Sequence, residues 1–348
     1  MVRLLLYLSV SLVVVIRMGA VAIAVDDDKT DPGAAQTANW VRVADVAGWQ
    51  PRDSQGELVF DNKLWIFGGW FNSYEAPPRD VWNSGDGQTW SLVQNDAPWQ
   101  HSDLSMSVTF RNRMWFMGGW YNGRLPGHSA SNAVWSSDDG VTWKQQTAAA
   151  GWSPRLAAGL VVFKDRMWML GGTENYYFGD NDSLQNDVWS SGDGKTWQQE
   201  TAAAPWPARA YLQAAVLNDR IYVFGGGNYV PEYKAFNDVW SSSDGINWRQ
   251  ETSAAAWHER LWFSSVVHRG QIWVLGGWSN NPSTNWGDVW YSANGRDWQQ
   301  LQTPDCWKER HEHSAFVMND RIWIAGGHAK PLSSEVWSLK LPNNWTGQ

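Results

Sequence analysis

The stretch CWKERHEHS at residues 306–314 concentrates residue types that do chemistry. It holds the only cysteine of the chain, Cys306, together with two histidines, two other basic residues and two glutamates. A thiolate beside a histidine is typical of nucleophilic enzymes. Two histidines one residue apart could hold a metal ion if their rings lie on the same side of a strand. Whether this is a site or scaffold depends on the elements that position it.

Six tryptophans divide most of the 348-residue chain into units of 50 to 54 residues, each with a Gly-Gly pair 19 residues after its Trp. They are Trp49, Trp99, Trp152, Trp206, Trp257 and Trp307. Each unit continues with a segment ending in Val-Trp and, eight residues later, a further Trp. Six copies of a unit near 50 residues indicate a repeat architecture. Of the 29 tryptophans, all but Trp262 and Trp286 fall on repeat positions, so we expect most of them to be core.

Each unit predicts four short antiparallel strands, of which the second ends at Gly-Gly and the fourth begins at the last Trp. The runs PRLAAGLVVFKDRMWMLGG and NDVWSSGDGKTW resemble kelch repeats, and the resemblance covers residues 40–340. It implies an all-β fold, a six-bladed kelch-type β-propeller with four antiparallel strands per blade. The hairpin SSDDGVTW (136–143) also resembles the Asp-box turn of sialidases, which is a fold element wherever it occurs.

The two chain ends compete to close the ring. Trp40 stands nine residues before Trp49, as each later fourth-strand Trp stands before the next unit. We therefore predict that the N-terminal strand, residues 39–44, completes the sixth blade by pairing with residues 336–339, which leaves no open edge. The alternative is the C-terminal NNWTGQ, whose Trp345 has the right spacing but whose hairpin lacks Asp-Gly.

The N-terminus predicts export. Arg3, an apolar run over residues 4–16 and Ala-Ile-Ala at 22–24 are typical of a secretory signal peptide over residues 1–24; an uncleaved anchor is the alternative. Residues 25–38 are small and polar and predict a flexible linker, so the propeller should occupy residues 39–348. The net charge of −8, without blocks of Lys or Arg, excludes a nucleic-acid partner. We expect a secreted or periplasmic monomer without membrane contact after signal cleavage.

Five of the six units carry an arginine three residues after the first Trp and an acid two residues before the Trp of Val-Trp. The arginines are Arg52, Arg155, Arg209, Arg260 and Arg310. The second unit has Ser102 and Ala133 instead, so arginine and acid are lost together. Gly-Gly lies between them in each unit, and we predict a structural ion pair whose guanidinium passes over the glycines. An anion-binding ring of arginines is the alternative.

The repeats explain most of residues 306–314. Trp307 and Arg310 are repeat residues, and His313 stands where kelch repeats often carry a histidine. Cys306 has no evident partner for nucleophilic chemistry. His311 and Glu312 remain, at variable positions, but no third metal ligand is evident beside the two histidines. We therefore expect neither a metal site nor a cofactor.

The long loops after Gly-Gly should form one variable face, rich in Trp, Tyr, Asn and Gly, which suits a sugar ring or an extended peptide. The positions one and two after the arginine should ring the channel mouth on that face. The candidate ligand-binding residues are Asp53, Trp70, Asp103, Trp120, Tyr211, Trp262, Trp278, His311 and Glu312. Trp70, Trp120 and Trp278 equally suit a purely structural cap on their blades.

Three functions fit this pattern. The first is a binding or interaction module for a glycan or a protein or peptide ligand. The second, implied by the resemblance, is a carbohydrate-active enzyme such as a sugar mutarotase or epimerase, for which Glu312, His311, Asp103 or Asp53 would supply acid and base. The third is a structural component of the cell envelope. We favour the binding module and assign no catalytic residue.

Overall fold

The computed structural model describes residues 38–347, and in that range the chain consists of strands and irregular segments only. The predicted signal peptide and all but the last residue of the predicted linker lie outside this range. Among the residues so described, there is no helix with the length and apolar character that a membrane crossing requires. The strands form six four-stranded sheets, which are the six blades of a β-propeller.

The strands match the repeat units closely. The first described strand is β1 (Asn39–Ala44). Blade 1 contains β2 (Gly56–Phe60), β3 (Lys63–Phe67), β4 (Val81–Ser84) and β5 (Ser91–Gln94). Blade 2 contains β6 (Met106–Phe110), β7 (Arg113–Met117), β10 (Val134–Ser137) and β11 (Trp143–Thr147), with a small hairpin of β8 (Trp120–Tyr121) and β9 (Ser129–Ala130). Blade 3 contains β12 (Gly159–Phe163), β13 (Arg166–Thr173), β14 (Leu184–Ser191) and β15 (Gln198–Thr201).

The remaining blades repeat this order. Blade 4 contains β16 (Gln213–Leu217), β17 (Arg220–Phe224), β20 (Val239–Ser242) and β21 (Trp248–Thr252), with a hairpin of β18 (Gly227–Asn228) and β19 (Lys234–Ala235). Blade 5 contains β22 (Ser264–His268), β23 (Gln271–Asn280), β24 (Ser283–Ser292) and β25 (Gln299–Leu301). Blade 6 contains β26 (Ser314–Met318), β27 (Arg321–Ala325), β28 (Val336–Lys340) and, as its outer strand, β1. The first strands of neighbouring blades contact one another around the ring and so line the central channel.

Tight turns set the register of each blade. The first two strands of blade 4 are joined by Asn218 and Asp219, whose φ angles of 50° and 54° are those of a type I′ turn. In the outer hairpin of blade 2, Ser137 Oγ accepts the Gly140 N–H at 2.9 Å, and Trp143 Nε1 donates to the Gly140 carbonyl at 3.0 Å. The Asp-box-like sequence is therefore a turn that ties the outer strand to its hairpin.

The N-terminal strand is the fourth strand of blade 6. Strand β1 pairs with β28 in antiparallel register, with Asn39 opposite Lys340 and Ala44 opposite Val336. Trp40 meets Trp307 edge to face, with ring centroids 5.9 Å apart, as Trp152 meets Trp197 in blade 3. The described part of the competing segment NNWTGQ, residues 343–347, forms no strand. The pairing of β1 is therefore the one that the position of Trp40 predicted.

The arginine of each repeat pairs with the acid across Gly-Gly. Arg155 donates to both Asp187 oxygens, at 2.5 and 3.0 Å, and to the Gly171 carbonyl at 3.0 Å. The same carboxylate accepts the Trp189 indole N–H at 2.7 Å. The corresponding pairs are Arg52–Asp80, Arg209–Asp238, Arg260–Asp288 and Arg310–Glu335. The structural pairing predicted from the repeats is therefore present in all five blades, and these guanidiniums do not form an anion site.

Removing one member of this pair should cost far more than removing an exposed pair. Arg155→Ala leaves the Asp187 carboxylate buried without its partner, which we expect to lower the free energy of unfolding by about 3–5 kcal/mol. The control is Arg113→Ala, because Arg113 pairs with Asp138 at the surface, where a pair contributes about 0.2–1 kcal/mol. Urea unfolding of both variants measures the difference. Equal losses would show that the buried pair does not stabilise the blade.

Candidate functional site

Six residues, one per blade, close the channel mouth on the long-loop face. They are Ser54, Leu104, Ala157, Tyr211, Trp262 and Glu312, and we call them the collar. All six have left-handed φ angles, between 50° and 57°. In five of the six places the backbone N–H of a collar residue donates to the carbonyl of the collar residue in the preceding blade, as from Leu104 to Ser54 at 3.1 Å and from Ser54 to Glu312 at 3.1 Å. The collar therefore links the blades around the axis.

The residue before each collar residue lies beside the start of a long loop. It forms an antiparallel bridge with the residue directly after Gly-Gly in its own blade. The bridges are Asp53–Trp70, Asp103–Trp120, Leu156–Thr173, Ala210–Gly227, Leu261–Trp278 and His311–His328. Two of these bridges, Asp53–Trp70 and Asp103–Trp120, join sequence-predicted site residues. Trp278 and His311 bridge instead to Leu261 and His328, whereas Tyr211, Trp262 and Glu312 are collar residues.

The aromatic rings near the mouth pack on one another. Trp262 is only 8% exposed, and its ring lies 4.9 Å from Tyr229, 5.2 Å from Trp278 and 5.3 Å from Tyr211 between centroids. Trp120 and Tyr211 are also buried, whereas Trp70 and Trp278 are half-buried. Trp262, one of the candidate ligand-binding residues, is therefore buried, and the expectation that its ring is available to a ligand is wrong. Its side chain instead forms a packed aromatic layer with Tyr211, Tyr229 and Trp278.

Trp262→Ala should therefore destabilise the protein. Truncating a buried tryptophan typically costs about 3–5 kcal/mol, which we expect to appear as a lower free energy of unfolding in urea. Tyr74→Ala, in a loop of the same face with 71% of the residue exposed, should change this value by less than about 0.5 kcal/mol. A Trp262→Ala protein as stable as the Tyr74→Ala protein would contradict the packed layer.

Three carboxyl groups, those of Asp53, Asp103 and Glu312, lie close together at the channel mouth. Asp103 is 1% exposed, and neither of its carboxylate oxygens has a hydrogen-bond partner within residues 38–347. Burial raises the pKa of Asp103 to about 8. The pKa of Glu312 is well above its usual range, mainly because of burial and also because of repulsion from Asp103. The pKa of Asp53 is raised in the same way by burial and by repulsion from Glu312 and Asp103. Such a group of buried acids favours either bound protons or a cation.

Two histidines adjoin these acids. Asp53, His311 and His328 each offer a ligand atom, and these atoms lie within 4.8 Å of one another. His311 Nδ1 lies 2.7 Å from the Asn285 side-chain oxygen, and burial lowers the pKa of His311 to about 3. His311 is therefore neutral, and its Nε2 lone pair faces away from Asn285.

His313 does not join this cluster. Glu312 has a φ of 52°, which interrupts the alternation of side chains that an extended strand would give. The ring of His313 packs on Trp307, with centroids 5.3 Å apart, whereas the ring of His311 stacks on Trp262. The idea that His311 and His313 lie on one side of a strand is wrong. Cys306 lies outside the cluster too, in a groove lined by residues that include His258 and Glu309.

A groove opens where blade 1 meets blade 6 on the long-loop face, with a volume of about 440 Å³. It is lined by Gln50, Pro51, Trp70, Phe71, His328, Pro331 and Leu332. We call it the 1–6 groove. His328 belongs both to the groove and to the Asp53–His311–His328 cluster, so the groove adjoins that cluster.

The channel below the collar holds a cavity of about 180 Å³, which is lined by Glu57, Glu312 and several serines. Burial raises the pKa of Glu57 to about 8. A group whose pKa is higher in the folded than in the unfolded state keeps its proton longer when folded. Since the unfolded value is near 4.5, the folded protein holds one more proton between about pH 4.5 and 8, and this group makes stability fall as pH rises through that window.

Glu57→Gln should remove this pH dependence. We expect the free energy of unfolding of the variant to rise relative to the parent between pH 5 and pH 8, because glutamine cannot lose a proton in either state. Urea unfolding of both proteins at the two pH values measures the difference. A parent–variant difference that stays constant across the window would show that Glu57 is not held as an acid in the channel.

Sequence reasoning missed three residues of this region. His328 was not recognised as a third potential ligand, Asn285 as the partner of His311, or Phe71 as a wall of the groove. One signal was available for His328. It occupies the same repeat position as Trp70, Trp120 and Trp278, directly after Gly-Gly, opposite the position of His311. Asn285 had no such signal, because it comes after a loop whose length differs between units.

Comparison with known proteins agrees with this architecture. Residues 177–347 match the model of the KLHDC2/KLHL20/DRC7 Kelch-repeats domain. The chain is also similar to the structure of YjhT, with a TM-score of 0.65 and 12% identity over 85% of this chain and 96% of that one. At that identity the likeness concerns the fold alone.

One curated relative matches part of the chain. The chain is 29% identical to the dynein alpha chain of the flagellar outer arm from Chlamydomonas reinhardtii over 143 residues, which is 38% of this chain. It spans about 3% of the length of that protein. The match therefore concerns a short part of a much larger molecule.

Proposed function

The chain is a kelch-repeat β-propeller, and we propose that it is an interaction module that binds an extended segment of a partner protein in the 1–6 groove. Kelch propellers generally serve as interaction modules that bind protein partners. The observation that carries the proposal is that this groove is open and lined by aromatic and other apolar side chains on the long-loop face, whereas the layer around Trp262 is packed against itself.

The chemistry of the groove favours a peptide. Five of its seven lining residues are apolar, and Trp70 and Phe71 are half-exposed within it. Such walls bury apolar side chains of an extended segment, and buried aromatic anchors carry much of the energy of an interface. A sugar would need more hydrogen-bonding groups at its edges than Gln50 and His328 supply. We therefore favour a peptide over a glycan as the ligand of the 1–6 groove.

Two lysines add a charge preference. Lys330 is exposed directly before Pro331 of the groove wall, and Lys308 Nζ donates to the Lys330 carbonyl at 2.7 Å. The chain as a whole is acidic, with a net charge of −8, so the two lysines form a local positive patch on an otherwise acidic protein. A partner segment with apolar side chains and then an acidic residue fits this arrangement, because opposite charges favour correct docking.

The test begins with selection of a ligand. A library of random peptides displayed on phage is selected on the purified protein, and a synthetic copy of the best peptide is titrated by fluorescence polarisation. Trp70→Ala should weaken binding about 5- to 150-fold, the range that corresponds to the loss of roughly 1–3 kcal/mol at one anchor. The control is Phe178→Ala, which removes an exposed ring from a blade 3 loop on the same face and should leave the affinity unchanged.

Two outcomes would overturn the proposal. Equal weakening by Trp70→Ala and Phe178→Ala would place the ligand elsewhere on the face. A glycan array that yields a ligand dependent on Trp70, where peptide selection yields none, would replace the peptide by a sugar. Circular dichroism of each variant checks that the fold is retained.

We also propose that this binding takes place outside the cytoplasm. The support is the predicted signal peptide over residues 1–24, with its apolar run and Ala-Ile-Ala. Mass spectrometry of the protein recovered from its source cells should give a mature N-terminus at Val25. A cytoplasmic protein that keeps residues 1–24 would contradict export.

A further inference from the structure

We propose that Asp53, His311 and His328 form a binding site for a divalent first-row transition-metal ion at the junction of blades 1 and 6. This inference is independent of which ligand occupies the groove. One ligand atom from each residue lies within 4.8 Å of the other two. Ligands bound to an ion at about 2.1 Å are roughly 3–4 Å apart, so small side-chain rotations complete the site.

Asn285 orients the ring of His311 for metal binding. Asn285 Nδ2 donates to the carbonyls of Glu309 and His328, at 3.3 and 2.8 Å, so its Oδ1 must face His311. At 2.7 Å, Oδ1 accepts the proton of His311 Nδ1. That leaves the Nε2 lone pair free, and a fixed second nitrogen is the usual support of a metal-ligating histidine. Asn285 is a positioning residue and holds the backbone of His328 as well.

Glu312 places a further carboxyl group beside His311. Its side chain is 6% exposed, and Oε2 lies 3.7 Å from His311 Nε2. Its other oxygen, Oε1, has no hydrogen-bond partner in the described part of the chain. Asp53 is 2% exposed and accepts a hydrogen bond from Ser54 Oγ at 3.2 Å. Two carboxyls therefore lie beside one neutral imidazole, and among residues 38–347 neither forms a salt bridge with an arginine or a lysine. A divalent cation between the two carboxyls would compensate their charge.

The donor set selects the class of ion. Two imidazoles with one or two carboxylates suit Zn²⁺ and its first-row neighbours, whereas Mg²⁺ and Ca²⁺ take oxygen ligands. His328 is half-buried and lines the 1–6 groove, so an ion held there would present an open coordination position to the groove. A water or a ligand oxygen would complete the coordination.

Zn²⁺ titration of the full-length protein tests the proposal. All variants carry Cys306→Ser, because the exposed thiol lines a separate groove with His258 and Glu309 and could bind zinc adventitiously. After treatment with a chelator and dialysis, calorimetry should show one saturable site. At a hundredfold excess over Kd, Zn²⁺ should raise the melting temperature by about 5 °C, whereas Mg²⁺ should not.

Single substitutions distinguish the metal-binding residues from residues that do not contact the ion. His328→Ala should weaken Zn²⁺ binding by at least about 100-fold, and His258→Ala, at the other groove, should leave it unchanged. Asn285→Ala should weaken it about 10- to 100-fold, the usual effect of losing the support of a metal-ligating histidine. A merely structural Asn285 would lower the melting temperature of the metal-free protein without changing the Zn²⁺ affinity.

Three results would overturn the site. The first is the absence of saturable 1:1 binding in the Cys306→Ser protein. The second is unchanged affinity in His328→Ala, whose half-exposed side chain makes it the variant best able to fold. The third is Mg²⁺ binding as tight as Zn²⁺ binding, which would indicate a nonspecific acidic site.

Discussion

The propeller depends on an arginine that reaches a carboxylate across two glycines. The pair is buried, and the carboxylate also accepts an indole N–H, so both carboxylate oxygens are satisfied in a place where an isolated charge would be costly. Because glycines carry no side chain, the guanidinium can lie against the end of the second strand, where it also donates to the carbonyl of the first glycine. Blade 2 lacks the pair and instead uses a fully buried serine, Ser102, which donates to the Pro78 carbonyl at 2.6 Å.

The two residues after the arginine position have the same places in every blade, including blade 2, where Ser102 replaces the arginine. The first of them bridges to the start of the long loop, and the second turns into the left-handed region and joins the collar. A left-handed residue other than glycine is costly, so six of them in a ring persist only because the surrounding blades determine their positions. The chemistry at these positions varies from serine to tryptophan while the backbone stays the same. The scaffold thus holds different side chains at the same height around the axis.

Much of the fold and some of the site could be predicted from the sequence. The Gly-Gly spacing and the joint loss at Ser102 and Ala133 were enough for the blades and the ion pairs, because both recur at fixed offsets. Burial at the channel mouth could not be predicted. No other repeat unit has a tryptophan at the position of Trp262, so the repeats do not predict what surrounds it. Its contacts also come from loops whose lengths differ between units. The separation of His311 from His313 could not be predicted either, because it depends on the left-handed backbone of Glu312, which reverses the direction of the next side chain.

The pairing of β1 with β28 has a consequence for how the molecule is made. Residues 39–44 leave the ribosome first among those of the propeller, but their partner, Val336–Lys340, is synthesised almost 300 residues later. During translation the early strand has no edge to join, and its exposed backbone groups could pair with a neighbouring chain. Five blades can form in order as they emerge, whereas the sixth must wait for the last strand. The slowest and most aggregation-prone moment of biosynthesis should therefore come at the end, when the two distant segments find each other.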